Sequence, residues 1–310
     1  MAEMTLSVIL PVNNEEQNLP ELLPRLNQTL SQLTDKYEII FVDDGSEDRS
    51  LELIKQFAAL DRRIKSLALS RNFGQMAALS AGLDCASGQA VIMMDADLQH
   101  PPELIPKLVE KWRAGAEIVN TIRQDNAKTG LGKKLTARFF YWLMSRTTGL
   151  ELRTGAADFR LLDRRVVEPL KELKERARFL RGLVNWVGFR REFVGYQADQ
   201  RFAGQSKYTF RRMAAFALDG ITSFSALPLR LATYLGLFVA AGSFFYLLYT
   251  IYIRFFTSRA IEGWASVLGT LLFLGGIQLI FLGVIGEYLG RIYDESKQRP
   301  LYIIREKINL

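Results

Sequence analysis

Five short apolar runs punctuate the first part of the chain: Leu6 to Val12, Tyr37 to Val42, Ile64 to Leu69, Ala90 to Met94 and Glu117 to Ile122. Each is bounded by polar or glycine residues and has the length of a buried strand. Four segments of helix length with amphipathic spacing separate them. Continuously apolar strands joined by such helices predict an α/β fold: a Rossmann-like, mostly parallel sheet covered on both faces and linked by right-handed crossovers.

Beyond this region the pattern changes. Residues 129–148 mix Lys133, Lys134 and Arg138 with Phe139, Phe140, Tyr141, Trp142 and Met144. That spacing suits a groove or a membrane-facing surface, or equally an ordinary core helix. Short mixed elements are expected over 155–203, then Gly204-Gln205-Ser206-Lys207-Tyr208 and an amphipathic stretch just ahead of two uncharged runs. Those runs, Leu231 to Ile253 and Trp264 to Gly286, exceed the ~20 residues needed to cross ~30 Å of hydrocarbon. The expected layout is a globular α/β domain over 1–209, an amphipathic juxtamembrane segment over 210–230, a transmembrane hairpin over 231–286 and a basic tail over 287–310.

Charge refines the layout. The 310 residues carry a formal net charge of +7. That excess alone fits nucleic acid, anionic lipid or a phosphorylated substrate equally well. Its placement favours a membrane surface over a duplex, because Arg211, Arg212 and Arg230 precede the hairpin while Arg291, Lys297, Arg299, Arg305 and Lys307 follow it. Positive-inside bias then puts both outer flanks, and so both termini, on the cytosolic face of an inner membrane. The first residues place an acid where a secretion signal wants basic charge, so the globular part is expected to stay in the cytosol. Glycines 275, 276, 283, 286 and 290 would allow close helix packing, within the hairpin or between copies in a homo-oligomer.

Cys85 and His100 are the sole residues of their kinds, which excludes disulfides, thiolate zinc sites and a histidine-based triad. What remains is oxygen chemistry at the strand ends. Those loops read Asn13-Asn14-Glu15-Glu16, Asp43-Asp44-Gly45-Ser46, Arg71-Asn72-Phe73-Gly74 and Asp95-Ala96-Asp97. In open α/β sheets ligands gather at this rim. Asp, Asn and Ser also cap helices, yet acids at several strand ends together favour a ligand site. Asp95 and Asp97 after a buried strand, with Gln99 close by, offer hard oxygen donors for Mg2+ or Mn2+ bridging to a diphosphate. The first-strand loop lacks the glycines of a dinucleotide fingerprint, so polar side chains are expected to recognise any nucleotide there.

Pro11-Val12-Asn13-Asn14-Glu15-Glu16, Asp43-Asp44-Gly45-Ser46 and Asp95-Ala96-Asp97-Leu98-Gln99-His100-Pro101-Pro102-Glu103 resemble the inverting family 2 glycosyltransferases of GT-A fold. Arg71-Asn72-Phe73-Gly74, Asp158-Phe159-Arg160, Gly204-Gln205-Ser206-Lys207 and the hairpin resemble the polyprenyl-phosphate branch, with its dolichyl-phosphate mannose synthases and bactoprenol glucosyltransferases. The resemblance implies transfer of a sugar from a nucleotide sugar to a polyprenyl phosphate. It also implies that Pro11, Asn13, Glu15, Val42, Asp43 and Asp44 contact base and ribose, that Asp95 and Ala96 line the nucleotide site, and that Asp97 and Gln99 hold the metal.

A phosphate acceptor with a second pKa near ~6 is already largely dianionic, so cations matter more than a base. Arg123, Lys134, Arg138, Ser206 and Lys207 are the candidates to bind it. Asp158 matches the family's post-sheet aspartate, with positioning favoured over base catalysis. UDP-glucose is the first donor expected, and formamido-arabinose or mannose stay open as alternative sugars. A catalytically silent membrane scaffold is the rival of different class. A processive polysaccharide synthase is disfavoured, because neither its Gln-x-x-Arg-Trp motif nor further spans occur.

Overall fold

The computed structural model describes residues 5–123, 156–173, 175–176, 178–197, 225–256 and 263–310. Lys134, Arg138, Ser206 and Lys207, the pattern over 129–148 and the amphipathic stretch up to 224 lie outside the described residues. The chain divides into two compact units, one of Met1–Ala217 with Arg299–Leu310 and one of Leu218–Gln298.

The first unit is built on one eight-stranded sheet. Its strands are β1 (Leu6–Val12), β2 (Tyr37–Asp43), β3 (Ile64–Leu69), β4 (Ala90–Met93), β5 (Ile118–Arg123), β6 (Ala156–Asp163), β7 (Arg191–Tyr196) and β8 (Ile304–Ile308), in the order β7-β5-β6-β4-β1-β2-β3-β8. The five expected strands stand within a residue or so of the apolar runs. β4-β1-β2-β3 are parallel, and β5 pairs in parallel with β7. β6 runs antiparallel to both β4 and β5, and β8 antiparallel to β3.

Helices α1 (Leu19–Ser31), α2 (Ser50–Leu60), α3 (Gln75–Cys85) and α4 (Ile105–Arg113) form the crossovers. In α1, Leu19, Leu22, Leu23, Leu26 and Leu30 recur at helical spacing and are buried against β1 and β2, whose Val8, Leu10, Ile39 and Phe41 complete the core. On the other face α3 lies so close to β1 that a Cβ on Gly82 would meet Ile9 Cγ2 at 2.3 Å. After β6, Asp163 caps α5 (Arg164–Glu172) by accepting the Arg165 amide, and α6 (Leu180–Trp186) follows.

The second unit holds α7 (Leu227–Phe256) and α8 (Trp264–Ser296), joined by the Tyr288 hydroxyl donating to the Ser225 carbonyl at 2.7 Å. Leu227–Ile253 and Gly269–Ser296 have mean hydropathies of 1.8 and 2.0 with none of their apolar windows buried. Both are long and apolar enough to cross a membrane. Phe238, Phe245, Leu272 and Leu279 stand two-thirds or more exposed, a surface that water would not tolerate and hydrocarbon would. α8 continues ten residues past the Gly286 boundary expected from sequence, because Glu287-Tyr288-Leu289-Gly290-Arg291 remains helical, with Arg291 paired to Glu287 one turn earlier. The tail is not a free appendage: its end is strand β8 of the first unit's sheet.

Candidate active site

The carboxyl ends of β1, β2, β3 and β4 open on one rim, and the loops there are tied to one another before any ligand arrives. Asn13 Nδ2 donates to the Asp44 carbonyl, the Asn14 amide to Ser46 Oγ, the Glu15 amide to Ser50 Oγ and the Glu16 amide to Asp48. In return Asn14 Oδ1 accepts the Glu47 amide at 2.8 Å, with Asn14 held at φ 62°. Asparagine tolerates this left-handed backbone because its short side chain bonds locally. Glu15 accepts from Asn18, so its carboxylate shapes the start of α1.

Asp43 and Asp44 divide the labour. Asp44 receives the Phe73 and Gly74 amides at 2.7 and 2.9 Å and so fixes the loop after β3. Asp43 is bonded by Ser46, whose amide lies 3.4 Å away and whose hydroxyl also contributes. Burial pushes both carboxyls above the ordinary range, partly offset by these bonds. Gly45 between them and Ser46 sits at φ 67°, and a Cβ there would meet the Asn72 nitrogen at 2.6 Å. Among the nucleotide-site candidates Pro11 is half-buried near the end of β1, while Val42 and Ala96 are buried.

The antiparallel β6 supplies the remaining chemistry. Met93 pairs with Arg160, so two residues further along each strand Asp95 and Asp158 come to adjacent places at the rim. Asp158 is clamped by two guanidinium groups: Arg160 Nη2 donates to Oδ1 at 2.7 Å, and Arg181 donates to Oδ2 at 3.0 Å and to Oδ1 at 3.4 Å. Burial alone would raise the Asp158 carboxyl, but Arg181 and Arg160 outweigh it and hold the group below the usual carboxylate range. Asp95 goes the other way, to about 7, first through desolvation and then through the charges of Asp158 and Asp97.

The acidic loop is braced from three sides. Gln75, first residue of α3, donates to Asp95 Oδ1 at 2.6 Å, and Asp97 Oδ1 accepts the Gln99 amide at 3.1 Å around Leu98, which has φ 61°. His100 Nδ1 accepts the Asp95 amide at 2.9 Å, so the proton of the neutral ring is on Nε2. The ring stacks on Phe159 at 5.2 Å, and burial lowers its pKa to about 4. Arg123, at the end of β5, is exposed and donates to Gln99 Oε1 at 3.3 Å.

Among the described residues, no group of three or more His, Cys, Asp and Glu side chains could hold a metal ion unaided. The donors nonetheless fit a shared divalent ion. Asp97 and Gln99 offer hard oxygens, and Asp95 adds a further carboxylate to the same loop.

Sequence reasoning named Asp158, named Arg160 in the same motif without a role, and missed Arg181. Arg160 is a charged residue inside an apolar strand pattern, which is a readable signal for a buried ion pair. Arg181 has no such mark, because its partner is 23 residues away.

An α/β sheet with an acidic strand-end loop, a clamped aspartate and an apolar helical hairpin fits a membrane-associated glycosyltransferase of GT-A type. The Glycosyl transferase family 2 profile matches residues 7–170 and the GtrB C-terminal hairpin profile matches 227–292. The chain therefore belongs to glycosyl transferase family 2, in the branch that carries this hairpin. It is 44% identical to the bactoprenol glucosyl transferase of Shigella phage SfV, over 98% of this chain and 99% of that one. It is 48% identical to an uncharacterized glycosyltransferase of Synechocystis, over 97% and 95%. Among solved structures, glucosyl-3-phosphoglycerate synthase of Mycobacterium tuberculosis, in complex with Mn2+, UDP and phosphoglyceric acid, aligns with TM-score 0.49 and 21% identity, over 71% of this chain and 77% of that one.

Proposed function

We propose that this glycosyltransferase moves a sugar from a nucleotide sugar, UDP-glucose first among donors, to a polyprenyl phosphate, with Mg2+ or Mn2+ bound by Asp97 and Gln99. The observation that carries the reading is Asp158, held ionised by Arg160 and Arg181 beside Asp95, in a chain that also carries the hairpin. The near-complete match to bactoprenol glucosyl transferases supports the same acceptor class.

The nucleotide would lie across the knitted loops after β1 and β2, with Asp43 the less engaged of the paired aspartates. A divalent ion, when bound, would neutralise charge on the departing diphosphate. An acceptor phosphate oxygen forms the new bond to the anomeric carbon as the bond to the diphosphate oxygen breaks, and one displacement inverts that centre. No proton has to be removed from a dianionic phosphate. A carboxylate pinned by two guanidiniums is a poor base, so Asp158 acts by positioning, and Arg181 adds positive charge beside it. Arg123, with Lys134, Arg138, Ser206 and Lys207, would receive the phosphate.

Both helices of the hairpin cross an inner membrane in this account, with the catalytic unit and both termini on the cytosolic face. The return of the chain to the catalytic sheet as β8 supports an even number of crossings. The test is transfer of labelled sugar from UDP- and GDP-sugars to undecaprenyl phosphate by purified protein, with and without metal. One donor active only with metal is expected. No product with any donor, from folded protein, would reject transfer from these donors to undecaprenyl phosphate and turn the search to another donor or acceptor first and a silent scaffold second.

A further inference from the structure

The tail that follows the hairpin does more than cover a sheet edge. β8 closes the open side of β3 and is locked in register from several directions. Ser70 donates its amide to the Ile303 carbonyl at 2.9 Å, and the Tyr302 hydroxyl donates to Asp84 of α3 at 2.6 Å. Lys55 of α2 pairs with Glu306 at 2.6 Å, and Asn309 Nδ2 donates to the Ala58 and Ile64 carbonyls at 2.8 Å. An edge strand needed merely to block aggregation would not require bonds to two helices as well.

The register is broken at one place. Ala68 pairs with Glu306 and Leu69 with Ile304, so Arg305 is an extra residue with no partner on β3. Such bulges re-aim a side chain and are over-represented beside active sites. This one sits at the rim, where β3 runs into the Arg71–Gly74 loop that Asp44 holds. Asp43 pairs with Ala68, which pairs with Glu306, so Asp43 and the bulge are two strand spacings apart, roughly 10 Å between backbones. Arg305 is exposed, and its charge acts on the Asp43 carboxyl, opposing the raising effect of burial.

We infer that Arg305 is a donor-binding residue: the tail beyond the hairpin completes the nucleotide site, and the bulge directs a guanidinium toward the nucleoside diphosphate held at the Asp43 end of the rim. The inference rests on the nucleotide site proposed above. It makes the strand that returns from the membrane part of substrate recognition, so that donor affinity depends on residues more than 200 positions from the acidic loop.

The test is calorimetric binding of UDP, with Mn2+, to full-length purified protein, comparing wild type, Arg305→Ala, Arg305→Lys and Lys307→Ala, each checked by thermal unfolding. Lys307 is exposed two residues further along the same strand and controls for loss of charge alone. Arg305→Ala should weaken UDP binding roughly three- to tenfold, as expected for one charge-assisted contact, with an unchanged melting temperature. Arg305→Lys should fall between, and Lys307→Ala should match wild type. Equal affinity of Arg305→Ala and wild type, or equal losses in Arg305→Ala and Lys307→Ala, would overturn the inference while leaving the nucleotide site standing. Failure of wild type to bind either UDP or GDP would overturn both.

Discussion

Arg181 offers the sharpest separation of positioning from folding. Asp158 receives one short bond from Arg160 and two longer ones from Arg181, and the side chains differ in exposure, 1% for Arg160 and 20% for Arg181. A hydrogen bond to a charged group is worth about 1.5–3 kcal/mol, and the lower half of that range suits a partly exposed arginine. If that energy keeps Asp158 in its working orientation, Arg181→Ala should slow transfer roughly 10- to 30-fold at saturating donor. Removing Arg160 instead strips a buried carboxylate of its buried partner, which costs about 3–5 kcal/mol of stability. The pH profile gives an independent readout. The wild-type Asp158 carboxyl lies below the ordinary range, so the group is ionised at neutral pH and loses its charge only as pH falls through that lowered value. Without Arg181, burial is opposed less, the carboxyl shifts upward, and the acid limb of the rate profile should move toward neutrality. Initial rates across the carboxylate range, from about pH 3 to 8, together with thermal unfolding in detergent, measure both effects. Wild-type rates and an unmoved acid limb in Arg181→Ala would refute the clamp as a positioning device.

Three further outcomes follow from the same geometry. Asp97→Ala should abolish metal-stimulated transfer and leave the unfolding temperature near wild type; retained stimulation by Mn2+ would remove Asp97 from the metal site. Gly45→Ala forces a side chain into a left-handed backbone against the Asn72 nitrogen, so it should cost at least about 1–2 kcal/mol of stability and raise the donor KM, and a variant that behaves as wild type would contradict the loop geometry. Glu38, buried on β2, is pushed up by desolvation but pulled further down by Lys65, Ser7 and Ser87. Its stabilising effect is therefore full above the unfolded pKa of about 4.3 and is lost as pH falls through the lower folded value. Glu38→Gln should lose about 1–3 kcal/mol at pH 7 and flatten the acid side of the stability curve, as urea unfolding between neutral and acid pH would show.

The parallel half of the sheet was legible because each of its strands is buried on both faces and so writes itself as an unbroken apolar run. Leu6 to Val12 matches β1, and Ile64 to Leu69 matches β3. The acidic loop was legible as well, since Asp95 and Asp97 directly follow such a run. β8 was not, because Ile304-Arg305-Glu306-Lys307-Ile308 alternates and carries charge, as an edge strand with one wet face does, and nothing local says which sheet it will join. The Asp158 clamp was half legible. Asp158 and Arg160 share a motif, but their meeting with Asp95 depends on β6 entering antiparallel beside β4, a pairing across 65 residues or more that no local spacing encodes.

The central claim is that the acceptor is a lipid phosphate, and an acceptor panel tests it most directly. Purified protein would be given its preferred labelled nucleotide sugar and metal, with undecaprenyl phosphate, undecaprenol or a water-soluble phosphate monoester offered separately. Label should pass to the organic phase with undecaprenyl phosphate alone. Transfer to undecaprenol at a comparable rate, or to the soluble phosphate in preference to the lipid, would contradict the account.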